Sequence, residues 1–192
     1  MRARLIAATW SFVFIVLATC STLRAEAYQV SNADDFHRRV KAAKPGDVIV
    51  LTSGQWSDVE LVVDASGSPN APVTIRAEDP GKVIITGNSR LRIAGEHVLV
   101  SGLCFQEAWH KSALIEFRRD SKRAAADCRL TDCQIVKCTP PDPKLSFKYV
   151  SIYGLRNTVD RCRIEGKTNR GATLVVWLGE GVGEHIIRKN HF

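Results

Sequence analysis

Four six-residue segments of this 192-residue chain align column by column. They are Val100-Ser-Gly-Leu-Cys-Phe105, Leu130-Thr-Asp-Cys-Gln-Ile135, Val159-Asp-Arg-Cys-Arg-Ile164 and Ile187-Arg-Lys-Asn-His-Phe192. The first column reads Val, Leu, Val, Ile, the sixth Phe, Ile, Ile, Phe, and the fourth Leu, Cys, Cys, Asn. The starts lie 30, 29 and 28 residues apart. A near-constant period with apolar residues in fixed columns marks a stacked-repeat fold, in which each unit must lie on its predecessor to bury its apolar face. The apolar runs are short, β-branched and bounded by Gly, Asn and charge, so they read as strands rather than helices. The spacing therefore predicts an all-β parallel β-helix, with equivalent strands stacked about 4.8 Å apart along its axis. Aromatics make up only 7% of the residues, which suits a slender coil filled by Val, Ile, Leu and Cys.

The N-terminus stands outside that pattern. Met1-Arg-Ala-Arg4 is basic, Leu5 to Leu23 is uncharged and apolar, and Ala25-Glu-Ala27 is a small-x-small cleavage site. Together they read as a secretory signal peptide over 1–27, with the β-helix domain over 28–192. The expected location is the periplasm or the extracellular space, with no stable membrane insertion after cleavage. An uncleaved anchor is the alternative. Leu17-Ala-Thr-Cys20 resembles a lipobox, but Thr19 departs from the small residue expected there.

From Ser31 to Gly46 the pattern becomes helical. Ser31 or Asn32 can cap the helix, Asp34 and Asp35 sit in its first turn, Phe36, Val40 and Ala43 share a face, and Pro45-Gly46 ends it. A coil stack exposes unpaired strand edges at its ends, so this helix reads as an N-terminal cap. Asp47–Leu51 reads as the first strand, Gly54–Asp58 as a turn, and Arg118–Ala126 and Thr139–Lys144 as protruding loops. No second domain or low-complexity tract is visible. The stack stops at Phe192 without a C-terminal cap, so truncation at that end is expected.

Removing residues 1–27 leaves 24 basic and 19 acidic side chains, net +5, a balance that suits a polyanionic partner. Nucleic acid is not expected, because an exported chain with no recognition motif gives no basis for it. Five cysteines then remain: Cys104, Cys128, Cys133, Cys138 and Cys162. No C-x-x-C occurs, which argues against zinc and thioredoxin chemistry. Cys133 and Cys162 share a column, a separation that permits a disulfide, although core-filling free thiols are the preferred reading.

Three stretches carry a resemblance to a known family. Ala71-Pro-Val-Thr-Ile-Arg-Ala-Glu, Pro80-Gly-Lys-Val-Ile-Ile-Thr-Gly and Gly95-Glu-His-Val-Leu-Val-Ser-Gly-Leu-Cys-Phe form the first. Tyr149-Val-Ser-Ile-Tyr-Gly through Glu165-Gly-Lys-Thr-Asn-Arg-Gly-Ala-Thr-Leu forms the second, and His185-Ile-Ile-Arg-Lys-Asn-His-Phe the third. In order and spacing they resemble the N-terminal part of the alginate lyase and chondroitinase B family of polysaccharide lyases, family six. The resemblance implies a right-handed β-helix and cleavage of a uronate-containing polysaccharide by β-elimination. Alginate is preferred, because the middle coils look like the alginate-cutting members; chondroitin and dermatan are the other candidates.

In that family a calcium ion held by an Asn and two Glu neutralises the substrate carboxylate, a Lys acts as base and an Arg as acid. Those residues follow the Asn-His-Phe element on which this chain stops. The resemblance therefore places no catalytic residue and no calcium ligand here, and calcium is expected only of a complete family enzyme. What remains for substrate is the basic turn Lys167-Thr-Asn-Arg-Gly171, where Lys167, Asn169 and Arg170 are binding candidates, with His110 beside Trp109 as a further candidate in the same groove. A merely solvated turn and a structural histidine are the plainer readings of the same residues. A non-catalytic carbohydrate-binding or surface β-helix, and an inactive truncated remnant, are the alternatives to a lyase.

Overall fold

The computed structural model describes residues 26–142, 144–179 and 183–192, so residues 1–25 of the expected signal peptide lie outside it. Strand β1 (Ala27–Val30) and helix α1 (Ala33–Ala42) lead into five successive turns of chain. The first turn is β2 (Val48–Leu51), β3 (Gly54–Ser57) and β4 (Glu60–Ser66), and the second is β5 (Val73–Ala77), β6 (Val83–Asn88) and β7 (Arg90–Glu96). The third is β8 (Val98–Ser101), β9 (Leu103–Trp109) and β10 (Ala113–Glu116), followed by a hairpin of β11 (Arg118–Asp120) and β12 (Arg123–Ala126). The fourth is β13 (Arg129–Thr131), β14 (Gln134–Val136) and β15 (Lys148–Ile152). The fifth is β16 (Thr158–Asp160), β17 (Arg163–Glu165) and β18 (Leu174–Val176), and β19 (Ile186–Arg188) opens a sixth.

Each turn contributes one strand to each of three sheets. One runs β1-β2-β5-β8-β13-β16-β19, a second β3-β6-β9-β14-β17, and a third contains β4, β7, β10, β15 and β18. Their strands pair in parallel, and among the described strands the β11–β12 hairpin alone pairs antiparallel. The result is a β-helix-like solenoid whose core is the stack of inward columns.

The repeat alignment is reproduced in the register. Val100, Leu130, Val159 and Ile187 pair in succession, as do Phe105, Ile135 and Ile164. Ile187 and Phe192 depart from the inward position expected of their columns: they are 41% and 63% exposed, because among the described residues no further strand packs over them. The repeat also starts earlier than the alignment finds. Strands β2, β5 and β8 begin at 48, 73 and 98, a shorter interval that escapes a comparison tuned to 28–30 residues. Gly54–Ser57, expected as a turn, is a strand that buries Trp56 beside Ile85. Ala27–Val30, not foreseen as a strand, pairs with β2.

The basic segment expected as a loop is an insertion into one rung. Strand β10 pairs with the first half of β7, through Ile115↔Leu91, and β12 with its second half, through Ala125↔Gly95. Residues between them leave the sheet as the hairpin. The corners between sheets are made by residues with positive φ that recur coil after coil. His97, Asp127, Arg156 and Glu184 form one such column, and Gly102, Asp132, Arg161 and Lys189 another. Asp tolerates this conformation better than most residues, and the corners lock to their neighbours by Arg156–Asp127 (2.6 Å) and Arg161–Asp132 (2.7 Å) ion pairs.

All five described cysteines are free and buried. Cys133 and Cys162 sit on adjacent rungs as thiols, and burial pushes the Cys128 and Cys138 thiols up to about 11 and about 12. All five side chains fill core space, and at these values Cys128 and Cys138 stay protonated at neutral pH. Helix α1 is capped by Asn32, whose Oδ1 accepts from the Asp35 amide at 2.9 Å, and it buries Phe36 and Val40. Its His37 Nε2 accepts from the Val62 amide at 3.3 Å, which ties the helix to β4.

Candidate functional site

Period-2 alternation assigns the two faces of the third sheet. Leu61, Leu91, Ile115 and Val150 point into the core and are fully buried. Their neighbours Val62, Arg92, Glu116, Ser151 and Val175 form an outward column. Glu116 is only 4% exposed and stands among three guanidinium groups: Arg118 at 3.3 Å, Arg92 at 3.6 Å and Arg90 at 3.9 Å. A carboxylate removed from water requires such company. Arg90 and Arg92 are also held by Glu60, at 2.6 and 3.5 Å, while their buried Nε atoms have no hydrogen-bond partner among the described residues.

Beyond Glu116 the outward face carries a ladder of planar groups. The Arg118 guanidinium lies over the Tyr153 ring, 3.7 Å from its centroid. Tyr153 stacks on Trp177 with centroids 5.9 Å apart and planes 7° from parallel. Lys148 Nζ sits 6.0 Å from the Trp177 ring. The three planar groups come from the third, fourth and fifth coils, and it is the in-register stacking of the coils that brings them together. None of the sequence readings pointed to them. The available signal was the aromatic residue closing each of the apolar runs that end at Tyr153 and Trp177, but the inserted hairpin breaks the spacing from Arg118.

Of the four residues singled out from the sequence, His110 lies near Arg90 and Arg92 of the Glu116 cluster, while Lys167, Asn169 and Arg170 sit in the turn between β17 and β18. Lys167 Nζ donates to Asn169 Oδ1 and to the Asn169 carbonyl, both at 2.9 Å, and lies 5.7 Å from the Tyr149 ring centroid. Burial lowers the Lys167 pKa. Asn169 Nδ2 donates to the carbonyls of Leu145 (3.0 Å) and Arg170 (2.8 Å), so these two side chains fasten the turn to the segment before β15. Arg170 is exposed. His110 is held at Ser112 Oγ (3.2 Å), and its pKa is lowered to about 4 by burial and then by Arg90, leaving the ring neutral at neutral pH. The structure thus joins Lys167 and Asn169 directly. His110 lies in the segment between β9 and β10, and Lys167 in that between β17 and β18.

Among the described residues no three His, Cys, Asp or Glu side chains converge on a common point. The buried Glu116 and Asp160 carboxylates are turned onto arginines, and Glu165 pairs with Arg163 at 2.7 Å.

Comparison with known proteins places this surface in context. The family model for chondroitinase B matches residues 30–192. Among solved structures, the PL6 family alginate lyase AlyGC is 36% identical with a TM-score of 0.80, over 84% of this chain and 23% of its own. A mannuronic acid specific polysaccharide family 6 lyase from human gut microbiota is 30% identical with a TM-score of 0.77, over 84% of this chain and 39% of its own. The PL6 family polysaccharide lyase Pedsa3628 from Pseudopedobacter saltans is 26% identical with a TM-score of 0.77, over 84% of this chain and 36% of its own. No curated protein matches the sequence. The chain therefore spans well under half the length of these solved lyases. Because the family match runs through every coil described above, the chain belongs to the chondroitinase B family.

Proposed function

We propose that this chain forms the N-terminal coils of an exported polysaccharide lyase that cleaves alginate by β-elimination. The observation that supports this reading best is the family match across the whole coil stack, to a family whose similar solved members are alginate lyases. In this reading α1 caps the first coil, residues 1–27 direct export, and the basic surface receives an acidic polysaccharide. The reaction removes the C5 proton beside a carboxylate and expels the C4-linked sugar, so negative charge grows on that carboxylate and must be met by fixed positive charge.

The part of this chain is to bind and orient. Lys167 and Asn169 hold the turn that presents Arg170, whose guanidinium can grip a uronate carboxylate with two parallel hydrogen bonds. The chain by itself should bind alginate weakly without eliminating it, while a protein that carries it together with a catalytic set should generate the conjugated double bond, read as ultraviolet absorbance. Alginate, chondroitin and dermatan assayed in parallel identify the substrate. Binding without elimination by every natural protein that contains these coils would instead support the non-catalytic carbohydrate-binding reading. Elimination by this chain alone would show that catalytic residues lie within it, with Glu165, Lys167 and Arg170 the first to replace.

A further inference from the structure

We infer that the outward ladder Arg118–Tyr153–Trp177, with Lys148 beside it, is a subsite that aligns an acidic polysaccharide along the solenoid axis. The inference rests on the proposed function for the class of ligand and on separate geometry for the place. Three planar groups stand one per coil, at the rung spacing of about 4.8 Å, which is close to the length of one pyranose unit in an extended 1,4-linked chain. Their stacking fixes them without help from the ligand: Arg118 lies on Tyr153 and Tyr153 lies on Trp177. A site held rigid before binding loses little side-chain entropy on association.

The exposed atoms suit a uronate. Neither the Tyr153 hydroxyl nor the Trp177 indole N–H hydrogen-bonds to a described residue, and Trp177 is 45% exposed. Arg118 gives one hydrogen bond to Glu116 and keeps further N–H donors. Because Arg118 and Trp177 cover the faces of Tyr153, the ladder meets a sugar through the exposed part of the Trp177 ring and through the hydroxyl, indole and guanidinium donors at its edge, which can meet hydroxyls and a carboxylate. Lys148 adds positive charge along the same face. The nearby acids are already engaged: Glu116 is enclosed by arginines, Glu60 holds Arg90 and Arg92, and Asp64 is taken by Arg119 and Arg123 of the hairpin. The hairpin inserted after β10 is the device that delivers Arg118 to the ladder.

The test is isothermal titration of the chain with an alginate tetrasaccharide at low salt, with cellotetraose as the neutral control. Trp177→Ala and Tyr153→Ala should each weaken alginate binding about tenfold, while Trp177→Phe restores most of it. Arg118→Gln should weaken binding and reduce its salt dependence. Arg163→Ala, on another sheet, should leave it unchanged. Thermal unfolding of each variant confirms that the fold survives, and Trp177, being half exposed, is not a core position. Absence of alginate binding, equal binding of cellotetraose, or unchanged affinity in folded Trp177→Ala and Tyr153→Ala variants would each overturn the inference. The proposed function fails separately. Normal elimination with an unmoved KM in Trp177→Ala sinks the subsite and leaves the lyase standing. Ladder-dependent binding without elimination in any natural form does the reverse.

Discussion

At the scale of single residues, the polar groups inside the coils are placed as strictly as the apolar ones. Asn157 is fully buried and uses its whole amide: Oδ1 accepts from the Cys128 amide at 2.9 Å, and Nδ2 donates to the carbonyls of Ala125 (3.0 Å) and Tyr153 (2.8 Å). Asn157→Leu should cost roughly 3 kcal/mol in a denaturant titration, because it strands several buried backbone groups. A loss under 1 kcal/mol would show that they find other partners. Asp160 is buried and takes a two-pronged contact from Arg129 at 2.9 and 2.7 Å. The Arg129 hydrogen bonds hold its pKa down at about 2. Its folded value lies below the unfolded one, so its stabilising contribution is complete above about pH 4 and disappears as the pH falls through about 2. Asp160→Asn should therefore lower the unfolding temperature at pH 7, and the gap from the parent should close between pH 4 and 2. Gly95 and Gly154 have positive φ, and a Cβ at either would meet a carbonyl oxygen of the neighbouring rung at 1.9 Å. No such close approach to the backbone is visible in the linear pattern.

At the scale of elements, the inward columns carry the fold and the insertions carry the surface. Ile164 stacks on Ile135 and is 2% exposed. Ile164→Asp places an unpaired charge in that column at a cost of several kcal/mol, on the order of a domain's whole stability. The expected outcome is loss of the cooperative unfolding transition, and a soluble variant with a normal transition would refute the column assignment. The helix offers a milder check. Phe36→Ala should destabilise by about 3 kcal/mol through the cavity it leaves, whereas Asn32→Ala, which removes only the cap, should cost about 1 kcal/mol. The two values, read from urea midpoints, separate packing from capping. Strand content was legible wherever the period held, at Val100, Leu130 and Val159, because identical environments on successive rungs select similar residues. It was obscured at Gly54–Ser57 and Ala27–Val30, where a short strand with one buried side chain looks the same as a turn.

At the scale of the molecule, charge and stacking set what the solenoid can bind. Alginate binding through Arg118, Lys148 and Arg170 should weaken steadily as salt is raised, since exposed ion pairs are screened over about 10 Å at 0.1 M. Calcium or a chelator should leave that binding unmoved, because no described set of carboxylates converges to take the ion. A calcium-dependent change in affinity, measured by titration with and without the ion, would show that a ligand set exists on this chain.

A period near 29 residues and alternating apolar runs were enough to specify stacked coils, the columns that fill them and the helix before them. Each of these follows from local chemistry repeated along the chain: burial of every second side chain, a capped amphipathic turn, and small or polar residues at the corners. The candidate site was not readable in the same way. Lys167 and Asn169 looked like free binding groups in a basic turn, yet folding turns them onto each other and onto the Leu145 carbonyl. Arg118, Tyr153 and Trp177 share no motif, and their spacing is interrupted by the hairpin. They become one surface only when three coils stack in register, because contact along the axis of a solenoid depends on rung position rather than on separation along the chain.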